Sequence, residues 1–457
     1  MSDERIVVIG AGPTGLGAAW RLNELGHAHW TVYEAAAEPG GLASSTVDDR
    51  GFTWDLGGHV LFSHYKYFDC LMDVALGDEW LTHEREAWVW MRERWLPYPL
   101  QNNIWRLPKD ELSACLDGLL EIHAGSATAP KPGSFREWLL AGFGAGLCDT
   151  FMFPYNRKVW AYDPGTMDVG WMGERVATVD LARVLRNVVH QRDDVGWGPN
   201  STFRFPKHGG TGRIWQAVAS RLPPERLRFN HAVQSIDPTA RVVTFANGTS
   251  VAYDRLISTM PLDRLLVGLH GRPELSARAR EFVHSSSHIV GVGLDGQQTE
   301  SLTTKCWMYF PEEHVPFYRA TVFSNYSPHN VPDASRQWSL MAEVSESPVK
   351  PVDGARVVDE VVEGFVSCGF ISRADVASLW HRRLEHGYPT PWLGRDDVLG
   401  PIDQALTALH IYSRGRFGAW KYEVSNQDHS VMQGVEVVDL LLTGTAERTY
   451  YGDMSDR

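Results

Sequence analysis

Gly10, Gly12 and Gly15 form a G-x-G-x-x-G turn, and Glu34 follows 24 positions after Gly10. Three glycines alone say little. Here they stand directly behind the β-branched run Ile6-Val7-Val8-Ile9 and open a helix-forming stretch, Ala18-Ala19-Trp20-Arg21-Leu22. Trp30-Thr31-Val32-Tyr33 then makes a second strand that ends at Glu34, so the chain opens with a βαβ unit. In that setting each residue has a task. Gly10 permits the tight turn, Gly12 lets the backbone approach a pyrophosphate, and Gly15 allows close helix–strand packing. The pyrophosphate sits on the helix N-terminus, and the Glu34 carboxylate accepts from ribose hydroxyls.

Two further segments choose between dinucleotides. Glu38-Pro39-Gly40-Gly41-Leu42 places a glycine pair just past the ribose acid, as is common where a protein grips FAD across its phosphates. The late strand 256–259, followed by Met260-Pro261, has the character of a segment returning to the same cofactor. FAD is favoured over NAD.

The elements behind these residues read as an α/β fold. Leu112, Cys115, Leu116, Leu119 and Ile122 fall at helical spacing. Residues 125–133 are a Gly/Ala/Pro/Ser linker, and Ser134 with Glu137 makes a capping box for the next helix. Leu181, Val184, Leu185 and Val188 mark another. Strand patterns return at 242–245 and 251–253, on either side of Asn247-Gly248, and again at 288–294, 306–310, 318–325 and 338–344. The C-terminal run 435–442 is helical. The expected fold is a Rossmann-type FAD-binding domain interrupted by a helical insertion and an antiparallel β-sheet domain. Its FAD-binding parts are 1–83, 199–283 and 385–457, the sheet domain is 84–104 with 284–384, and the helical insertion is 105–198.

The 457 residues carry a net charge of −13, from 43 Lys+Arg against 56 Asp+Glu. That disfavours a nucleic-acid or anionic-membrane partner, both of which call for clustered positive charge. No apolar run approaches a membrane span of ~18 residues. The start of the chain lacks the basic and apolar regions of a signal peptide. Five cysteines, none spaced C-x-x-C, read as buried free thiols without a disulfide framework or metal site. A cytoplasmic protein is the expectation.

Beyond the dinucleotide unit, the chain resembles the UDP-galactopyranose mutases, in the form found in the eukaryotic branch. The resemblance rests on Gly57-Gly58-His59-Val60-Leu61-Phe62-Ser63-His64-Tyr65-Lys66-Tyr67-Phe68-Asp69, Pro97-Tyr98-Pro99-Leu100-Gln101-Asn102-Asn103, residues 151–160, and Gly173-Glu174-Arg175-Val176-Ala177. It continues through Gly198-Pro199-Asn200, 205–212, 306–309, 317–328, His386-Gly387-Tyr388-Pro389-Thr390-Pro391 and 413–429. These blocks cover almost the whole chain. The loop 178–180 and the stretch 192–196 depart from the family pattern.

The resemblance implies interconversion of UDP-galactopyranose and UDP-galactofuranose without net oxidation. N5 of reduced FAD would attack the anomeric carbon, with UDP as leaving group. It assigns Arg175 and Arg319 to the diphosphate, with Tyr309, Tyr388 and Tyr422 lining the same site. Tyr98 and Gln101 fall at the uridine end, joined by Phe151, Asn156 and Trp160. Asn200 is on a flap near the sugar, and Trp307 and Asn426 lie beside sugar and flavin. His59 lies against the flavin near N5, with Gly41 and Gly58 giving backbone access, His64 behind it, and Arg416, Asn426 and Gln427 closing over the ring. The electron donor would be NADPH or another reductant, and a homo-oligomer is compatible with the pattern. The competing readings are a sister mutase acting on an arabinose or deoxyhexose nucleotide, and an amine-oxidase-like FAD oxidoreductase of the same architecture.

Overall fold

A computed structural model describes residues 3–125, 131–172, 176–195 and 201–452. The chain begins with β1 (Ile6–Ile9), α1 (Pro13–Glu24) and β2 (Trp30–Tyr33), then a hairpin β3 (Ser45–Val47) and β4 (Thr53–Asp55), and α2 (Lys66–Leu76). Three strands follow, β5 (Trp80–Glu84), β6 (Ala87–Met91) and β7 (Arg94–Pro97). Next come four helices, α3 (Lys109–Ala124), α4 (Phe135–Leu147), α5 (Phe153–Trp160) and α6 (Leu181–His190). The chain re-enters the first layer through β8 (Thr202–Pro206), α7 (Gly212–Ala219), β9 (Leu227–Arg228), β10 (Val233–Asp237), β11 (Val242–Phe245), β12 (Ser250–Ala252), β13 (Arg255–Ser258), α8 (Leu262–Val267) and α9 (Pro273–Arg278). It continues with β14 (His284–Asp295), β15 (Trp307–Tyr309), β16 (Arg319–Val322), β17 (Gln337–Glu346), α10 (Val357–Ser367), β18 (Val376–Pro389), α11 (Arg395–Ala408), β19 (Ile411–Ser413) and α12 (Gln427–Thr443).

Two sheets organise the molecule. The first is parallel, in the order β19-β13-β1-β2-β9, with all four β1 residues buried between β2 and β13. A continuous β-branched run suits a strand buried on both faces. Helices α1 and α12 cross close together because glycine faces backbone. A Cβ on Gly434 would lie 2.0 Å from the Thr14 carbonyl oxygen, and one on Gly17 would lie 2.6 Å from that of Val431. The second sheet has seven strands in the order β18-β14-β17-β16-β15-β6-β7. It is antiparallel except for β6 and β15, which pair in parallel. One face carries Val290, Val292, Leu340, Ala342 and Val344 into an apolar core with Val361 and Phe365 of α10. The other face carries the polar row described below.

Local details depart from expectation. The Ser134 side chain accepts from Glu137 N–H at 3.3 Å, but the Glu137 carboxylate reaches past the cap residue to Gly133 N–H at 2.7 Å. Part of the preceding linker lies outside the described residues. The Asn247-Gly248 turn is wider than a two-residue hairpin. Asn247 Oδ1 accepts from Thr249 N–H, and of the two residues only Gly248 has a positive φ, +84°. Among the thiols, Cys115, Cys148 and Cys306 are buried, Cys368 is partly exposed and Cys70 is exposed, so the expectation of five buried thiols is corrected at the last two. The whole of β18 escaped the sequence reading.

Candidate active site

The dinucleotide turn has the geometry its glycines require. Gly10 adopts φ +100°, and a Cβ there would stand 2.1 Å from Thr259 Oγ1. A Cβ on Gly15 would overlap the Gly10 carbonyl oxygen at 1.8 Å. The Gly40-Gly41 pair packs directly on this turn. Gly40 N–H donates to Ala11 O at 2.9 Å, and a Cβ on Gly41 would lie 3.3 Å from Gly12 Cα. Glu34 Oε2 accepts from Ala11 N–H at 2.6 Å and Oε1 from Ala36 N–H at 2.8 Å. The carboxylate thus also fastens the turn to the end of β2, while keeping lone pairs for two further donors. Helix α1 starts at Pro13 with Gly12 as its cap residue, which offers no side-chain cap to the N-terminal amides.

Register on the second sheet builds the rest. Tyr309 pairs with Arg319, Arg319 with Glu343, and two residues along Trp307 pairs with Thr321 and Thr321 with Met341. Period-two alternation therefore puts Trp307, Tyr309, Arg319, Thr321 and Glu343 on one face. Arg319 Nε and Nη2 donate to Glu343 Oε1 and Oε2, both at 2.8 Å. Glu343 also accepts from Gly58 N–H at 3.0 Å and from the Tyr318 hydroxyl at 2.6 Å. Burial would push the Glu343 carboxyl up; the Arg319 charge and these hydrogen bonds outweigh it and hold the group below the usual carboxylate range. One buried acid thus ties the Gly57–His59 backbone to the arginine.

Arg319, assigned to a diphosphate, already has one fork engaged, which leaves Nη1 outside the Glu343 pair. Arg416 lies nearby, its Nη1 donating to Ser425 Oγ and its Nη2 to Gly387 O, with the guanidinium 4.9 Å from the Tyr388 ring centre. The aromatic residues form one wall. Tyr98 meets Tyr309 at 4.8 Å, Tyr155 meets Tyr309 at 5.5 Å, and Phe151 stacks on Tyr155 at 5.2 Å. Trp160 meets Tyr422 at 4.8 Å and Tyr388 at 5.8 Å. Asn156 Nδ2 donates back to Met152 O, so its amide nitrogen serves its own helix. Gln427 Oε1 accepts from Trp215 Nε1 at 3.0 Å, and Asn426 caps α12 without a side-chain bond into it. His64 Nδ1 pairs with Asp428 at 2.7 Å. Arg175 and Asn200 lie outside the described residues.

His59 is partly buried, directly behind the buried pair Gly57-Gly58. Burial, aided by Arg416 and Arg319 and opposed by Glu343, pushes its pKa down to about 4, so its imidazole is neutral at physiological pH. Its Nδ1 has no hydrogen-bond partner among the described residues, and neither do Trp307 Nε1 and Gln101 Oε1. Buried polar atoms are rarely left unpaired unless a ligand or water completes them. These three atoms run from the Gly58 loop to the Tyr98 wall, with Gly58 pressed within 3.1–3.3 Å of Thr321, Glu343 and Trp307 where a Cβ would stand. Together with the bare turn at Gly12, this set of unpaired donors and acceptors fits a flavin dinucleotide beside a polar substrate. Glu343, Tyr318, Tyr155 and Thr321 were missed by the sequence reading. An acid within the mostly apolar stretch 338–344 was the available signal. A cavity of about 580 Å³ between the β3–β4 hairpin and β18, lined by Asp48, Arg50 and Trp380, shares no residue with this site.

Among the described residues no helix is long and apolar enough to cross a membrane. The model of the flavin-containing amine oxidoreductase family matches residues 13–293. A crystal structure of reduced UDP-galactopyranose mutase is 51% identical, covers 99% of this chain and 97% of its own, and superposes with a TM-score of 0.96. A putative protoporphyrinogen oxidase from Exiguobacterium sp. 255-15 (18% identity, 96% and 99% coverage, TM-score 0.71) shares the fold. So does the cyclohexylamine oxidase from Brevibacterium oxydans IH-35A (15% identity, 96% and 100% coverage, TM-score 0.67). The chain belongs to the flavin-containing amine oxidoreductase family and, within that fold, to the UDP-galactopyranose mutases.

Proposed function

We propose that the protein interconverts UDP-galactopyranose and UDP-galactofuranose with reduced FAD, releasing and recapturing UDP without net oxidation. The observation that carries this reading is the row Tyr309–Arg319–Glu343, which joins a tyrosine-lined cationic pocket to the Gly57–His59 backbone. The reduced flavin, when bound, supplies an electron-rich nitrogen nucleophile for the anomeric carbon. The chain's residues do the rest. Arg319 Nη1 and Arg175 meet the diphosphate, where negative charge grows as the sugar–oxygen bond breaks. Tyr309, Tyr388 and Tyr422 donate to phosphate oxygens, and burial keeps the Tyr388 proton in place by raising its pKa. Tyr98 stacks on the uracil, with Gln101 Oε1 as acceptor and Phe151, Asn156 and Trp160 completing the pocket. Asn200 and Trp307 flank the sugar. His59, being neutral, adds no cation beside the ring. Gly12 and Glu34 hold the pyrophosphate and ribose of FAD, and Arg416, Asn426 and Gln427 close the other end. NADPH or another donor supplies the electrons.

The test is anaerobic conversion of UDP-galactofuranose by dithionite-reduced and by oxidised protein, with products separated by chromatography. Conversion only after reduction supports the proposal. Equal rates in both states overturn the flavin's role, and turnover of an arabinose or deoxyhexose nucleotide alone reassigns the sugar. Peroxide release from amines would favour the oxidoreductase reading.

A further inference from the structure

Away from the flavin site, three elements bring ligand-type side chains together. Asp263 stands in the first turn of α8, His284 is the first residue of β14, and Glu385 and His386 lie near the end of β18. Between Ser285 and Ser287 on β14 the pairing on β18 advances from Tyr388 to Leu384, so β18 carries two extra residues in a bulge at 385–387. Bulges re-aim side chains. This one lays the His386 ring on that of His284, with centroids 4.4 Å apart and planes 20° from parallel. His386 Nε2 contacts both Asp263 oxygens at 3.0 and 3.1 Å. One ligand atom each from Asp263, His284 and His386 lie within 4.8 Å of one another. Glu385 Oε1 is 3.7 Å from His284 Nε2, too far for a hydrogen bond, while Oε2 is held by Arg383.

We infer that Asp263, His284 and His386, with Glu385 as fourth ligand, form a site for a divalent transition-metal ion of the zinc class. Two imidazoles and two carboxylates suit zinc, which takes nitrogen and oxygen ligands tetrahedrally. Its ligand atoms stand about 3.4 Å apart at Zn–ligand lengths of about 2.1 Å, so side-chain rotation closes the remaining gap. The supporting shell is present. Asp263 Oδ1 accepts from Arg264 N–H, the Tyr162 hydroxyl donates to His284 O, and Phe417 and Trp420 enclose the His386 ring. The ion clips α8 to the sheet. It also fixes the strand end that presents Tyr388 and Gly387 O, the acceptor of Arg416 Nη2.

The test is titration of chelator-treated, flavin-loaded full-length protein with Zn²⁺ by calorimetry and with Co²⁺ by visible absorption. The expected result is one ion per chain, a tetrahedral Co²⁺ spectrum, and a raised thermal midpoint. His386→Ala and His284→Gln should each weaken binding at least about tenfold. His208→Ala, which removes one ring of a close, exposed histidine pair elsewhere (His208 with His329, 4.0 Å), should leave it unchanged. Flavin content reports whether each variant is folded. No stoichiometric binding to the parent protein, undiminished binding in both folded site variants, or loss in His208→Ala would overturn the assignment.

Discussion

Replacing Arg319 by Ala tests the row on which the site is built. The change strands Glu343, whose side chain is 4% exposed against 20% for Arg319. Removing one partner of a buried ion pair costs about 3–5 kcal/mol, because a charge is left uncompensated. Here the carboxylate keeps two donors, Gly58 N–H and the Tyr318 hydroxyl, so the cost should fall to about 2–3 kcal/mol. The cost should also depend on pH. In the parent, Glu343 titrates below its ordinary value of 4.5, so its contribution is present above that value and is lost as pH falls from there through the lower folded pKa. In the variant, burial dominates and raises the folded pKa above the unfolded one. Stability relative to the parent is then lost as pH rises through the new folded pKa. Urea denaturation of flavin-loaded protein at about pH 5 and pH 8 should show the larger deficit at pH 8. Adding Glu343→Gln should restore part of it, with coupling of more than about 1 kcal/mol in the double-mutant cycle. An equal deficit at both pH values, or additive single changes, would refute the claim that Glu343 is a buried anion held by Arg319.

Three further outcomes are expected. Gly434→Ala puts a Cβ 2.0 Å from Thr14 O, so forcing α1 and α12 apart should cost about 1–3 kcal/mol in denaturant unfolding and lower flavin content. Glu34→Gln removes a charged acceptor from both the ribose and Ala11 N–H, and should weaken FAD retention about ten- to a hundredfold by equilibrium dialysis. His59 is depressed to about 4, so it disfavours the folded state as pH falls below its unfolded value of 6.5. In His59→Asn, stability should fall less between about pH 6.5 and 4 than in the parent, measured by the same denaturation.

The readable parts of this protein are those where one residue type has one physical use. Gly10 and Gly15 could be read because a Cβ at either would strike backbone or side chain within about 2 Å, and no other residue meets that demand. β1 was legible because four consecutive buried residues leave no face to disguise. The opposite holds for β18, an edge strand whose Arg382, Arg383 and Glu385 break the alternation and whose bulge shifts register before Tyr388. Pattern arguments assume one buried face and one partner on each side, and an edge strand has neither. Glu343 was hidden for a different reason. Local sequence shows an acid in an apolar strand, which looks like a mismatch. Only the pairing of β17 with β16 reveals that Arg319 stands opposite it, and only the fold brings Gly58, 285 positions earlier, to the same carboxylate. Single residues declared the cofactor turn, whereas the charge balance of the pocket is a property of register. A nominally diphosphate-binding arginine is half occupied by an internal acid. On the proposed function, a phosphate would therefore meet Arg319 from the Nη1 side of the fork, while the Glu343 side keeps the Gly58 loop in place.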